Sequence, residues 1–340
     1  MKKLLLLAVL LSIGFVWAQE EENRDDSWVY DDAVTNPGAE TVITTDPITI
    51  TGLTQPDQDG QIQIPEMNLF AGAESEFSRN QKAINIPLAY RWRNFGFSAR
   101  VPYIIEKKVS VFDYDTFELK DVTTSGLGDI FAGVSYGNLY EPYGLYYDIN
   151  IGAKLPTGDD EAEDNGQPVP LGTGSLDVNA ALSVYKFDDA VTFKGRLIYI
   201  YNGEIETVSE TENVTHVTKT TQTQSRGGQF ITGLGFDYRW KYNLTFSSDL
   251  TFGWAFDGET EIKSEDIYSD SDLNTTTKNK WDITGYSFSD MRQSVSYRMS
   301  LFDFTLGMRV PVYTYSNNDA NVGNIPRNFS VFFRTNYRIF

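Results

Sequence analysis

The feature that most constrains the fold is a strict alternation of side-chain character along residues 143–155. Successive side chains of a strand point to opposite faces, so this segment would place hydrocarbon on one side and polar groups on the other. The pattern recurs about a dozen times before the C-terminus. Such repetition is typical of a transmembrane β-barrel. The apolar face comprises Leu145, Tyr147, Ile149, Ile151, Ala153 and Leu155, and the polar face comprises Tyr146, Asp148, Asn150, Gly152 and Lys154.

Twelve alternating segments predict an all-β fold, a transmembrane antiparallel up-and-down β-barrel of about 12 strands. Each has about the ten residues that a tilted strand needs to cross a bilayer. Short turns alternate with long connections, which predicts short periplasmic turns and long extracellular loops. A soluble sandwich also alternates, but it rarely sustains so many long strands with this loop asymmetry. The strands are predicted at 66–78, 81–92, 95–106, 127–138, 143–155, 175–187, 190–202, 229–240, 243–256, 288–300, 302–313 and 328–340, and the long loops at 107–126, 156–174, 203–228, 257–287 and 314–327.

The N-terminus divides into two segments ahead of a barrel at 66–340. Residues 1–18 predict a secretory signal peptide: a basic start, an apolar run at 4–15 and small-residue cleavage after Ala18. Residues 19–65 hold eleven acids and one base, Arg24. This composition favours a flexible segment, although short strands within it could instead plug the barrel.

Composition disfavours several classes of function. Cysteine is absent, so no disulfide or thiolate metal site can form. A single histidine, His216, argues against a histidine-based triad and against a multi-histidine metal site. A formal charge of −19 argues against nucleic acid as a partner. We therefore expect no catalysis, no cofactor and no metal, and an outer-membrane phospholipase or protease is disfavoured. Acidic clusters at 159–164 and 259–272 predict solvated loops rather than calcium sites.

Charged residues of both signs fall on the face opposite the apolar one, which in a barrel points into the lumen. They could pair across the lumen and stabilise it, or they could form a polar constriction that selects solutes. For the constriction, the sequence nominates Arg100, Asp148, Lys154, Arg196, Arg239 and Arg292. The other members of this polar set are Arg91, Lys194, Asp237, Asp249, Asp290, Arg298, Asp303, Arg309, Arg334 and Arg338.

Three glycine-rich stretches carry a family resemblance: GLGDI at 126–130, GAKLPTGD at 152–159 and LGTGSLDVNAALS at 171–183. Together they resemble the outer-membrane transporter family named for the phenol-degradation meta pathway, which is related to the long-chain fatty-acid transporter barrels. The resemblance implies passage of small, often hydrophobic or aromatic, molecules. Residues 19–65 show no corresponding match.

The sequence thus predicts a monomeric barrel in the outer membrane of a Gram-negative bacterium, acting as a passive channel or transporter for small organic solutes. Its expected partners are outer-membrane lipid, the solute and the barrel assembly machinery. The alternative is a structural or adhesive outer-membrane barrel with a closed lumen, which pore conductance would distinguish from a channel.

Overall fold

The structure, a computed structural model, describes residues 67–78, 81–113, 118–140, 143–159, 163–164, 167–168, 171–188, 190–212, 216–225, 227–240, 243–268, 274–299, 301–316 and 329–338. The predictions of a signal peptide at 1–18 and of a flexible or plugging segment at 19–65 lie outside these residues. In this part of the chain no helix is long and apolar enough to cross a membrane.

The described residues form nineteen strands, numbered here in chain order. They are β1 (Met67–Ser78), β2 (Gln81–Trp92), β3 (Phe95–Asp113), β4 (Glu118–Leu127), β5 (Ile130–Tyr140), β6 (Leu145–Leu155), β7 (Glu163–Asp164), β8 (Gln167–Pro168), β9 (Asp177–Asp188), β10 (Val191–Tyr201), β11 (Glu204–Glu212), β12 (His216–Ser225), β13 (Gln229–Trp240), β14 (Leu244–Ala255), β15 (Gly258–Tyr268), β16 (Thr275–Ile283), β17 (Tyr286–Met299), β18 (Phe302–Ser316) and β19 (Ser330–Arg338).

Twelve of these strands close into one antiparallel barrel. Their spatial order is β1-β2-β3-β5-β6-β9-β10-β13-β14-β17-β18-β19, and β19 pairs back with β1. Every barrel strand therefore has a hydrogen-bonded neighbour on both sides, which is the condition for a sheet to span hydrocarbon. The predicted fold is confirmed, and the twelve predicted strands correspond to the twelve barrel strands.

The long connections are more regular than predicted. β11, β12, β15 and β16 form a separate four-stranded sheet in the connections predicted as loops at 203–228 and 257–287. β3 runs beyond the barrel and pairs there with β4, inside the predicted loop 107–126. The long connections were predicted correctly, but the strands within them were not, because most of these strands are polar on both faces and lack the alternation that marked the barrel strands. β12 and β16 are also rich in Thr. Thr nevertheless has high β-propensity.

The described part of the second acidic cluster, residues 259–266, lies on β15 in this outer sheet and is partly neutralised by lysines; its remaining acids lie outside the described residues. The Glu259 carboxylate forms an ion pair with Lys280 at 2.5 Å, and the Glu261 carboxylate forms one with Lys278 at 3.2 Å. The solvated acidic loop predicted there is thus a strand with paired charges. Both lysines are more than half exposed, so these pairs contribute little to stability.

The outer wall of the barrel carries a continuous apolar belt. Leu234 on β13 is 67% exposed, and Leu306 on β18 is 60% exposed. Such exposure of large aliphatic side chains would be unfavourable in water and is favourable against lipid. The belt includes Ile86, Leu88, Phe97, Val134, Ile149, Ile151, Leu182, Phe193, Leu197, Leu250, Phe252, Val295 and Val331.

Aromatic residues border this belt at both ends. On β13, Trp240 marks the end with short turns, and Phe230 marks the end with long hairpins, where it packs on Trp254 at 5.9 Å. The ten residue-to-residue steps from Phe230 to Trp240 span roughly 33 Å along the strand, which a tilt of about 40° reduces to roughly 25 Å of membrane depth. This is the height of an outer-membrane apolar band, and by the same architecture the short turns face the periplasm.

Candidate functional site

An apolar row crosses five neighbouring strands on the inner wall, close to the long-hairpin end. Its members lie directly opposite one another in the ladders of β9, β10, β13, β14 and β17. A Cβ at Gly253 would lie 2.1 Å from Cζ of Phe288, so the ring occupies the space that glycine leaves. The row gives this sector of the inner wall a hydrocarbon and aromatic surface. It consists of Ala181, Ile198, Ile231, Gly253 and Phe288, and Ile200 and Tyr286 pack against it.

Two polar rows follow toward the short-turn end. In the first, Arg196 of β10 lies across Gly233 of β13, where a Cβ would be 3.7 Å from Nε of the guanidinium. On β10 and β17 the inner wall therefore changes from apolar to charged within one inward-facing position, from Ile198 to Arg196 and from Phe288 to Asp290. The first row is Ser183, Arg196, Gly233, Thr251 and Asp290, and the second is Tyr185, Lys194, Gly235, Asp249, Arg292 and Arg309.

Lys194 of β10 joins two carboxylates on neighbouring strands. Its Nζ lies 2.8 Å from Oδ1 of Asp237 and 2.8 Å from Oδ1 of Asp249. Gly235 faces this group, and a Cβ there would lie 2.1 Å from Oδ1 of Asp249. The three strands β10, β13 and β14 are thus linked across the inner wall by one ammonium group.

Arginines concentrate where the second polar row continues past β17 toward the junction of the chain ends. Arg334 of β19 pairs with Glu74 of β1, and Arg309 of β18 lies 3.8 Å from Glu76. Arg100 of β3 is buried within electrostatic range of all four of these groups. We call Arg100, Arg292, Arg309 and Arg334 the arginine sector.

Arg292 is packed against an aromatic ring in this sector. Its Cζ lies 3.9 Å from the centroid of Phe332, and it is directly opposite Arg309 in the β17–β18 ladder. Phe332 is buried, and it lies over Gly307, where a Cβ would be 2.2 Å from Cζ of the ring. The contact with the ring fixes the orientation of the guanidinium plane.

A further network closes the short-turn end of β2, β5 and β6. Arg91 is 1% exposed, and its Nη1 donates to the Tyr146 hydroxyl at 2.8 Å while its Nε donates to the Arg93 carbonyl at 2.7 Å. Asp148 lies beyond Tyr146, with 3.4 Å between the hydroxyl and Oδ2. Asp148 therefore shares an inner-wall network with an arginine on a strand three positions away around the barrel.

The three motif segments that carry the family resemblance converge at the long-hairpin end. Lys154 of β6 is 2% exposed; it pairs with Asp177 of β9 and lies 3.8 Å from Asp129. Asp129 in turn accepts from the backbone N–H of Thr173 at 2.8 Å and from that of Gly158 at 3.0 Å. One ammonium and two carboxylates thus tie residues from all three motifs into a single buried cluster.

The six nominated residues do not share one level of the barrel. Arg100 and Arg292 both lie in the arginine sector. Lys154 belongs to the buried motif cluster, Arg196 lies beside the apolar row, and Asp148 belongs to the Tyr146 network. Arg239 lies near the short-turn end, within electrostatic range of Arg298.

Sequence reasoning did not nominate several residues that complete these groups. Glu74 and Glu76 were missed although they share a face of β1, which their two-residue spacing could have indicated. Asp129 and Asp177 were quoted within the motifs without a role. Their contacts with Lys154 form only when residues near β5, β6 and β9 come together in the barrel. A local sequence pattern does not predict that arrangement.

Comparison with known proteins supports the fold. No protein-family model and no curated protein matches the sequence. Among solved structures, the protein is similar to an outer-membrane channel from Pseudomonas putida F1, with 10% sequence identity and a TM-score of 0.58 over 82% of this chain and 97% of that chain. It is also similar to CymD, a monoaromatic hydrocarbon channel, with 9% identity and a TM-score of 0.40 over 80% of this chain and 88% of that chain. Of these two likenesses, the first is close enough to establish a shared fold.

The apolar belt, its aromatic borders and this shared fold identify the protein as an outer-membrane β-barrel. The predicted location is therefore confirmed. The fold also agrees with the family resemblance that the three motifs indicated.

Proposed function

We propose that this barrel is a passive channel that admits small organic solutes with an aromatic or aliphatic body across the outer membrane. The observation that carries the proposal is the apolar row on the inner wall, next to rows of arginine, lysine and aspartate. A lumen that served only as a sealed support could be filled by paired charges throughout. An apolar strip beside a polar wall instead gives an organic solute a surface to contact while water fills the remainder.

The shared fold with the Pseudomonas putida channel supports a transport role rather than catalysis. We also propose that charged side chains on the inner wall narrow the path, with Arg100, Asp148, Arg196, Arg239 and Arg292 along it. Lys154 would act at the long-hairpin end by holding the motif segments against the wall. As a proposal, the protein works as a monomer surrounded by outer-membrane lipid, after insertion by the barrel assembly machinery.

Residues 19–65 enter this proposal as a candidate plug. If they fill the lumen, their eleven acids would face a wall that includes the arginine sector. Opposite charge would hold such a plug in place, and raising the salt concentration would weaken it.

Single-channel recording in planar bilayers tests the function. Two refolded proteins are needed, one beginning at residue 19 and one at residue 66, each shown to be folded by heat-modifiable migration on a gel. Conductance steps from both proteins would support an open channel. Steps only from the shorter protein would support a channel plugged by 19–65. Silence from both folded proteins would refute the channel and favour the structural or adhesive barrel.

A further inference from the structure

Two phenylalanine rings on the inner wall lie over glycines of the neighbouring strand. Phe288 of β17 is directly opposite Gly253 of β14. Phe332 of β19 is likewise directly opposite Gly307 of β18. A Cβ at either glycine would overlap Cζ and Cε1 of the facing ring, so each ring reaches across the sheet and rests on the backbone of the adjacent strand. We call Gly253 and Gly307 the ring seats.

Both ring seats face the lumen, because the residue next to each of them faces the lipid. Trp254 is 43% exposed beside Gly253, and Leu306 is 60% exposed beside Gly307. Successive side chains of a strand alternate between its two faces, and directly opposite residues share a face. The ring seats and the rings that cover them therefore belong to the inner wall.

The two rings are covered although they belong to the inner face. Phe288 is 7% exposed and Phe332 is 3% exposed. Directly opposite Cα atoms of antiparallel strands are roughly 4.5–5.5 Å apart, and a phenyl side chain that lies along the sheet bridges such a gap. A ring that projected across the lumen would expose both of its faces. The rings are thus part of the wall, and they leave the lumen wider than projecting rings would.

The wall around Phe288 offers this ring no second glycine. Beyond Gly253, the same ladder row continues to Ile231 of β13. On its other side, Phe288 is directly opposite Thr314 of β18. Along its own strand, the ring lies 6.0 Å from the ring of Tyr286. Because each of these neighbours carries a side chain, a ring displaced from Gly253 would turn toward the lumen.

The position of Phe332 also determines that of a charged group. Cζ of Arg292 lies 3.9 Å from the centroid of the Phe332 ring. A ring displaced from Gly307 would lose this contact or move the guanidinium group with it. This ring seat therefore also fixes where one positive charge lies on the wall.

We propose that Gly253 and Gly307 set the size of the solute that the lumen admits, by holding the rings of Phe288 and Phe332 against the wall. This inference rests on the proposed channel function and names its size-determining residues. A side chain at either ring seat would turn the facing ring into the lumen and narrow the path.

Gly253 is the better ring seat to test. The three atoms nearest to a Cβ there all belong to the Phe288 ring, whereas the Gln293 carbonyl oxygen also approaches a Cβ at Gly307. The matched comparison is Gly233→Ala, because Gly233 faces inward on β13 and a Cβ there would have no atom nearer than 3.6 Å. It adds the same methyl group to the lumen without displacing a ring. Phe288→Ala and the double variant of Gly253→Ala with Phe288→Ala complete the set, and heat-modifiable migration shows that each protein is folded.

Single-channel conductance and liposome swelling with uncharged sugars of increasing size measure the lumen of the mature chain. We expect Gly253→Ala to lose conductance and to admit only smaller sugars than the parent does, because pore diameter limits both. Gly233→Ala should lose less. In the Phe288→Ala background, Gly253→Ala should cause no further loss, because the ring that it would displace is gone. Equal losses in Gly253→Ala and Gly233→Ala, or the same loss with and without Phe288, would overturn the inference.

Urea-induced unfolding of the same proteins tests the ring seat without any current. Gly253→Ala should lower the urea midpoint of the parent and leave the midpoint of Phe288→Ala unchanged. Equal shifts in the two backgrounds would overturn the seating of the ring, whatever the currents are. Silence from the folded parent would instead refute the channel, and with it the size limit, while the unfolding comparison still decides whether Gly253 holds the ring.

Discussion

Replacing Lys154 by Met should destabilise the barrel by about 3 kcal/mol. The substitution keeps the length and apolar stem of the side chain and removes the ammonium group from between Asp129 and Asp177. Breaking a buried ion pair by deleting one partner costs roughly 3–5 kcal/mol, because the remaining charge is left uncompensated. Both carboxylates keep backbone donors, from Thr173 at 2.8 Å and from Gly203 at 3.0 Å, so the lower end of that range applies.

Urea-induced unfolding in phospholipid vesicles, followed by tryptophan fluorescence, measures this loss. Lys82→Met is the matched control, because Lys82 pairs with Glu106 at 2.7 Å with both side chains more than one-third exposed. Exposed pairs contribute little, so the control should unfold as the parent does. Adding Asp177→Asn to Lys154→Met should restore part of the lost stability, because one uncompensated charge disappears.

The reasoning fails if Lys154→Met costs less than about 1 kcal/mol or no more than the control. It also fails if the two substitutions are simply additive, because residues in one charge network should couple by about 0.5–3 kcal/mol. Either result would mean that the motif segments are held together without a contribution from the Lys154 ammonium group.

Three further predictions concern packing, the membrane face and pH. Gly253→Ala should lower the free energy of unfolding by about 1–3 kcal/mol in the same assay, because the new Cβ would lie 2.1 Å from the Phe288 ring. Gly195→Ala is the control and should be neutral, because a Cβ there would have no atom within 4 Å. Leu234→Arg places a charge on the lipid face and should lower the free energy of unfolding in vesicles by about 2–4 kcal/mol, which equilibrium refolding measures. A hydrogen bond from Lys263 lowers the pKa of the Glu265 carboxyl below its ordinary value of 4.5. The contribution of this exposed pair is complete above the ordinary value and is lost as pH falls through the lowered pKa. Protection factors of the outer-sheet amides, corrected for the intrinsic exchange rate at each pH, should therefore be slightly lower in that acidic range than at pH 6.

The barrel could be predicted from sequence because each spanning strand must meet two solvents. Lipid outside and a polar lumen inside impose alternation on every strand, and the segment around Ile149 and Lys154 shows it without tertiary information. The outer sheet meets water on both faces, so its strands carry no such constraint. The sequences of β12 and β16 were consequently interpreted as loops.

The grouping of charges was not predictable because it depends on register and on strand tilt. Alternation placed Arg309 and Arg334 on the inner face, but it could not show that they approach Arg100, some two hundred residues earlier in the chain. Lys154 was nominated for an open constriction since it is inward and charged. Its burial by Asp129 and Asp177 follows from the path of the 156–176 connection, which glycine-rich sequence leaves undefined.

The ion pair between Glu74 and Arg334 joins residues 260 positions apart, at the junction where β1 meets β19. A slip of one residue at this junction would reverse the facing of one strand relative to the other and turn either Glu74 or Arg334 from the lumen to the lipid. An arginine on the lipid face at mid-membrane costs about 2–4 kcal/mol and a glutamate less, so the incorrectly closed barrel is less stable than the correct one. The pair thus favours the native register between the first and last strands when the barrel closes. This effect is separate from what the pair contributes to the stability of the folded barrel.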